Sequence, residues 1–304
     1  MFAPILVFGY NRPVHLQKAL LAIEANPESK HSDVYIFLDG PKPGAKNSEK
    51  YEACKLVAQQ SYSFKSKTIK ISPKNLGLAN SIKSGIDYVF EFSDRVIVIE
   101  DDIILSSSAL SFLNQGLTKY ATNPIISSLS SYQYPISQHF DSCVGLRGAD
   151  CWGWATWIDR WKSVNFDSGS LLAQIESKGL IYDFDLDGAM DYSSMLGLQT
   201  QGKIDSWAIC WHGSMFLEGK LCLYPPESLS RNIGSDGTGT HSGTHDLFET
   251  NLSERSHWSF PNSPTESSSF RNSLIQFYRQ RMPEPSLLRK LGRKAKGKIH
   301  FLRK

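Results

Sequence analysis

The sequence predicts an α/β fold built on a mostly parallel, doubly wound sheet with helices on both faces. Two observations carry this. Short apolar runs alternate with segments of helical periodicity over the first 125 residues, and a polar turn cluster follows most of the runs. That alternation implies right-handed crossovers, with the polar loops gathered at the C-terminal ends of the strands, where such sheets bind ligands.

The elements follow in order. Ala3 to Phe8 is an apolar run that ends in Gly9-Tyr10-Asn11-Arg12-Pro13. From Val14 to Ile23, apolar residues recur at 16, 19, 20 and 23, which is helical spacing. Val34 to Leu38 repeats the strand pattern and ends in Asp39-Gly40-Pro41. Tyr51 to Gln60 reads as a helix, Thr68 to Ile71 as a strand and Asn80 to Phe92 as a helix. Arg95 to Leu105 then carries four consecutive β-branched residues and ends in Glu100-Asp101-Asp102 before Ile103. Three carboxylates cannot share the core of a buried strand, so the chain must surface there. They repel one another unless a cation joins them. The cluster reads either as a platform for Mg²⁺ or Mn²⁺ and a diphosphate or as an acidic turn after a core strand.

Ser106 to Tyr120 reads as a helix capped by its serines. Beyond residue 125 the texture becomes polar and aromatic. Trp152, Trp154, Trp157 and Trp161 crowd into ten residues. Positions 154, 157 and 161 fit the buried face of a helix, whereas Trp152 and Trp154 flank Gly153 and suit stacking on sugar rings. Asp183 to Leu198 reads as one amphipathic helix. Ile204 to His212 reads as a strand or short helix. There Asp205 is either a general base in apolar surroundings, its charged form disfavoured by desolvation, or a cap at the start of the segment. Ser230 to His245 contains four glycines among small polar residues, the composition of a loop that orders over a ligand. Its His241 and His245 are candidates for substrate or phosphate contact or for metal ligation, or else belong to a solvated loop. Residues 256 to 270 read as a linker or surface strap, and Phe270 to Met282 as a final helix.

Composition excludes several classes. The chain has 304 residues, 40% of them hydrophobic, without a long apolar span or a secretory leader. Five cysteines without a Cys-x-x-Cys pair argue for free thiols in a reducing cytosol. No Gly-x-Gly-x-x-Gly and no Gly-x-x-x-x-Gly-Lys-Ser/Thr is present, which disfavours Rossmann-type dinucleotide binding and P-loop chemistry. The net charge is +3, yet residues 286–304 hold eight Lys or Arg and no acid, so the remainder is net negative. The basic, leucine-containing tail suits an anionic membrane surface; nucleic acid is not an expected partner.

Seven blocks then appear in chain order: Phe8-Gly9-Tyr10-Asn11-Arg12-Pro13, Phe37-Leu38-Asp39-Gly40, Asn75-Leu76-Gly77-Leu78, Glu100-Asp101-Asp102, Cys151-Trp152-Gly153-Trp154, Asp205-Ser206-Trp207 and Asn232-Ile233-Gly234. Together they resemble bacterial GT-A-fold sugar transferases of the glycosyltransferase family 2 and N-acetylglucosaminyltransferase I-like group. The resemblance runs from about residue 4 to 245. It implies a GT-A (nucleotide-diphospho-sugar transferase) fold, with a nucleotide-sugar-binding half over 1–125 and an acceptor-binding and catalytic half over 126–255 of the same domain. Residues 256–304 would form linker, helix and basic tail. It further implies a nucleotide-diphospho-sugar donor held by Arg12, Asp39, Asn75, Glu100, Asp101 and His241. The same resemblance places Mn²⁺ or Mg²⁺ on Asp102 and gives a glycan or lipid-linked acceptor contacts with Trp152, Trp154 and Trp207. Where the eukaryotic group has Trp-Asp-Asp-Trp, this chain has Ile204-Asp205-Ser206-Trp207, leaving Asp205 as the sole candidate base in a register shifted by one. The implied activity is inverting hexosyl transfer in surface polysaccharide or lipopolysaccharide synthesis, in the cytoplasm or peripherally on the inner face of the plasma membrane. The competing readings are a sugar nucleotidyltransferase and a non-catalytic carbohydrate-binding protein.

Overall fold

The computed structural model describes residues 2–42, 49–237 and 246–281. The α/β class holds. Chain order is β1 (Ile5–Gly9), α1 (Pro13–Glu24), β2 (Asp33–Leu38), α2 (Glu49–Gln59), β3 (Ser66–Ile71), α3 (Leu78–Val89), β4 (Arg95–Glu100), β5 (Ile103–Leu105) and α4 (Ala109–Lys119). Then come β6 (Ile126–Ser130), β7 (Val144–Arg147), β8 (Trp154–Trp157), α5 (Ile158–Lys162), α6 (Ser168–Ser177), α7 (Ile181–Phe184), α8 (Tyr192–Thr200), α9 (Trp207–Leu217), β9 (Leu221–Tyr224), β10 (Ser230–Asn232) and α10 (Ser268–Arg281).

Eight strands form one sheet in the order β3-β2-β1-β4-β8-β6-β9-β7, and β10 pairs with β5 in a separate ribbon. β1, β2, β3 and β4 are mutually parallel, and β6 and β9 share their direction. β8 runs antiparallel between β4 and β6, and β7 is antiparallel to β9. The sheet is therefore mostly parallel, with two reversed strands, and it continues without a break across residue 125.

Strand alternation sorts the core into two layers. Ile5, Val7, Ile97, Ile99 and Trp157 face the layer filled by α1, α2 and α4. Leu6, Phe8, Val96, Val98 and Trp154 face α3, α5 and α9. This corrects the helical reading of the tryptophan segment. Trp154 and Trp157 belong to a strand, so an interval of three places them on opposite faces of the sheet. Only Trp161 lies on a helix, α5. The predicted helix over 183–198 is likewise two helices. Leu186 and Asp187 take positive φ, and the Asp185 carboxylate accepts from Ser193 N at 2.8 Å, fixing the break.

The strap over 256–270 is anchored by its aromatics. Phe260 stacks on Phe112 at 5.2 Å, and Trp258 meets the same ring edge-on at 5.3 Å. The final helix, α10, packs Phe270, Leu274 and Tyr278 against β7 and β9. All five cysteines are free thiols. Among the described residues no helix is long and apolar enough to cross a membrane.

His212, on α9, is enclosed by Phe184, Tyr192 and Phe216, with Nδ1 3.0 Å from the Ala149 carbonyl oxygen. Burial pushes its pKa down from 6.5 to about 4. The unfolded chain then takes up a proton below 6.5 that the folded chain refuses, so acid costs stability across that window. The cost is roughly 3 kcal/mol at most, at 1.36 kcal/mol per unit. A His212→Gln variant should lose less stability than wild type between pH 7 and 4, measured by urea unfolding. Parallel pH profiles would contradict this.

Candidate functional site

The parallel half of the sheet brings the ends of β1, β2 and β4 side by side, with Phe8 paired to Glu100 and to Phe37. Above those ends opens a cavity of about 580 Å³. Arg12, Asp39, Asn75, Glu100, Asp101, Asp102, Trp152 and Asp205 all line it. Residues from positions 12, 39, 75, 100–102, 152 and 205 thus line one cavity, as the sequence reading expects. His241 lies outside the described residues, as does the tail from 282.

The acid triplet is partly neutralised from within. Arg12 Nη2 pairs with Asp101 and lies 3.0 Å from Asp102 Oδ2. Burial works against the guanidinium charge, but Asp101 and Asp102 more than offset it and raise the Arg12 pKa. Burial also raises the pKa of Glu100, with repulsion from Asp102 and Asp101 adding to it. Asp101 is raised by burial too, against the pull of Arg12. Burial and mutual repulsion thus disfavour the fully ionised triplet, which one guanidinium offsets only in part, and a further cation bound there would relieve that repulsion. Among the described residues no three His, Cys, Asp or Glu side chains converge into a metal cage. A hard divalent ion would therefore take Asp102 and fill its other positions with phosphate oxygens and water, the usual habit of Mg²⁺. Backbone geometry holds Asp102 in place: its carbonyl accepts from Ile233 N at 2.8 Å. A side chain at Gly234 would meet the Asp102 carboxylate and have to displace it, so glycine at 234 lets Asp102 keep this position. From the other side, His15 Nε2 lies 3.2 Å from Asp236 Oδ2 and 3.3 Å from the Ile233 carbonyl oxygen.

Asp39 is more committed than the sequence suggests. Its Oδ1 accepts from Gly40 N and Leu76 N, both at 2.8 Å. Its Oδ2 accepts from Asn75 Nδ2 and Gly77 N, both at 3.0 Å. A carboxylate has about four acceptor positions, and all are used inside the protein. Asp39 thus ties the end of β2 to the Asn75–Gly77 loop and builds the cavity wall. Asp39→Ala leaves three backbone N–H groups without their acceptor and should cost about 2–4 kcal/mol. A change below about 0.5 kcal/mol in urea unfolding would show that water replaces the carboxylate without penalty.

Gly77, at φ +77°, holds a conformation that favours glycine. Its missing Cβ would sit 3.4 Å from Asp205 Oδ2. Asp205 therefore stands beside the loop that Asp39 clamps. Its surroundings differ from the expectation on two counts. It is exposed at the cavity wall and not embedded among aromatics. It does not cap α9 either, because Ser206 accepts from Ile209 N.

The aromatic candidates separate. Trp152 is half-buried and lines the cavity. Trp154 and Trp207 are 0% and 4% exposed, stacked on each other at 5.4 Å beside Trp161 and Trp211. Neither can stack on a sugar; they are core. Gly153 admits protein and not ligand, since Ser131 N and Oγ both donate to its carbonyl at 2.7 Å. Asp150 fixes the Trp152 turn by accepting from Cys151 N and Trp152 N at 2.6 and 3.1 Å, while Tyr134 and Tyr224 hydroxyls donate to it. Sequence reasoning missed Tyr10, Asn11, Lys42 and Asn232 as lining residues. Each lies within four residues after a strand or at its last position, and that signal alone would have found them.

No protein-family model matches the chain, and neither does any curated protein sequence. Among solved structures, S. aureus TarS aligns at 11% identity with a TM-score of 0.32, over 46% of this chain and 23% of that one. A Desulfovibrio desulfuricans G20 protein, described as a nucleotide-diphospho-sugar transferase, aligns at 14% identity with a TM-score of 0.31, over 53% of this chain and 65% of that one. The chain thus spans less than two thirds of either protein's length.

Proposed function

We propose that the chain is a GT-A glycosyltransferase that moves a sugar from a nucleotide-diphospho-sugar to a hydroxyl of a glycan or lipid-linked acceptor, with inversion at the anomeric carbon. The observation that carries this reading is the single cavity uniting Arg12, the acid triplet and Asp205. A cation-bearing acid cluster at strand ends suits a diphosphate, and a separate exposed carboxylate suits proton removal from an acceptor.

The chain's own residues would act as follows. Arg12 and the β1 and β2 loops receive the nucleotide, together with the Asn75–Gly77 loop that Asp39 clamps to the end of β2. Asp102 would hold Mn²⁺ or Mg²⁺, which when bound supplies Lewis-acid neutralisation of the departing diphosphate. Asp205 takes the acceptor proton as the hydroxyl attacks. Its exposure leaves the carboxylate open to an incoming acceptor hydroxyl. Trp152 offers an indole against the incoming sugar. Work on surface polysaccharide or lipopolysaccharide at the cytoplasmic face, through the basic residues 286–304, completes the reading.

A thermal-shift panel of nucleotide-diphospho-sugars with Mn²⁺ tests the donor site, because a ligand that binds only the folded state raises Tm. At least one donor should raise the Tm of wild type in a Mn²⁺-dependent way, and Asp102→Asn should abolish the Mn²⁺ dependence. An equal shift in the variant would remove Asp102 from the metal role.

A further inference from the structure

A second cavity of about 310 Å³ adjoins the first and shares Trp152 and Asn232 with it. Its other lining residues are Arg231, Ile233, Ser235, Asp236, Phe248 and Glu249. We propose that this cavity is an acceptor subsite for the penultimate sugar of a glycan chain, so that the acceptor is an oligosaccharide of at least two units. The proposal rests on the glycosyltransferase reading.

Position comes first. Asp205 lines the first cavity only, so the hydroxyl that reacts must sit there. Trp152 and Asn232 belong to both cavities, and a sugar placed against Asp205 has its next residue directed past them. The lining chemistry suits a sugar. Trp152 and Phe248 meet edge to face at 5.4 Å, forming an apolar corner for a pyranose face. Among the described residues the side chains of Arg231 and Glu249 make no hydrogen bond or ion pair, though both point charges line the same small space. A guanidinium fork donates to neighbouring hydroxyls and a carboxylate accepts from them. The β5–β10 ribbon fixes Arg231 opposite Ile104. Volume agrees, since 310 Å³ is at the small end of ligand pockets and holds one unit and not a chain. Asp236 is already engaged by His15 at 3.2 Å, which leaves Arg231 and Glu249 to read the ligand.

The test uses the full chain with Mn²⁺ and the nucleoside diphosphate of the donor that raises Tm. Saturation-transfer NMR is run with glucose, galactose, mannose and N-acetylglucosamine, with disaccharides of each, and with the corresponding sugar phosphates. At least one disaccharide should bind about tenfold more tightly than its monosaccharide. Arg231→Ala and Glu249→Gln should each erase that preference while leaving the donor-induced Tm shift as in wild type. The proposal is overturned if no disaccharide outbinds its monosaccharide, if both variants keep the preference, or if the sugar phosphates bind best. Absence of any donor-induced Tm shift in wild type would instead bring down the glycosyltransferase reading itself.

Discussion

Asp205→Asn should lower turnover by about 10²- to 10⁴-fold, the usual contribution of a general base, with no loss of folding stability. The two halves of that expectation have separate grounds. Asp205 is exposed and donates nothing to the architecture, since Ser206 caps α9. An amide of the same shape therefore fits without penalty. The chemistry differs, because an amide cannot take the acceptor proton. Stopped assays of transfer, read beside urea unfolding, separate the two. The donor-induced Tm shift should persist, since Asp205 lies next to Gly77 and takes no part in the ion pairs of Arg12 with Asp101 and Asp102. Full turnover in the variant would remove Asp205 from the mechanism and move the search for a base to another carboxylate on the wall.

The second large effect is on stability. Trp154 is 0% exposed and packs on Trp161, Trp207 and Trp211 at ring separations of 5.9, 5.4 and 5.5 Å. Trp154→Ala should cost about 3–5 kcal/mol, the range for emptying a buried aromatic site. That is a large share of a typical domain's total of about 5–15 kcal/mol. The indole N–H of Trp154 has no hydrogen-bond partner, so packing alone retains the side chain, and Trp154→Phe should recover part of the loss. Urea midpoints decide it. A loss below about 1 kcal/mol accompanied by weakened saccharide binding would return Trp154 to a sugar-contacting role.

These two residues mark what was legible in the sequence and what was not. The strand-end groups could be found because buried parallel strands are continuous apolar runs, so the first polar residues after Phe8, Leu38 and Ile99 announce the ligand edge. Trp154 was misread because its spacing to Trp157 and Trp161 matches a helix, whereas β8 is held between β4 and β6 by pairing with residues 24 to 62 positions earlier. No local pattern encodes such a partner. Asp205 was found as a residue but placed in the wrong surroundings. It lies beside Gly77, in a loop whose conformation is set by Asp39, and these contacts join residues far apart in the sequence. The subsite around Arg231 and Phe248 was invisible for the same reason, since it is assembled from three separate segments around Trp152.

The most direct test of the central claim is the identity of the small product released on turnover. Wild type should be incubated with Mn²⁺, a nucleotide-diphospho-sugar that raises its Tm and a saccharide acceptor, and the products resolved by anion-exchange chromatography. Nucleoside diphosphate should accumulate together with a glycosylated acceptor, and Asp205→Asn should suppress both. Release of inorganic pyrophosphate, or saccharide binding indifferent to nucleotide and metal with no turnover, would contradict the account.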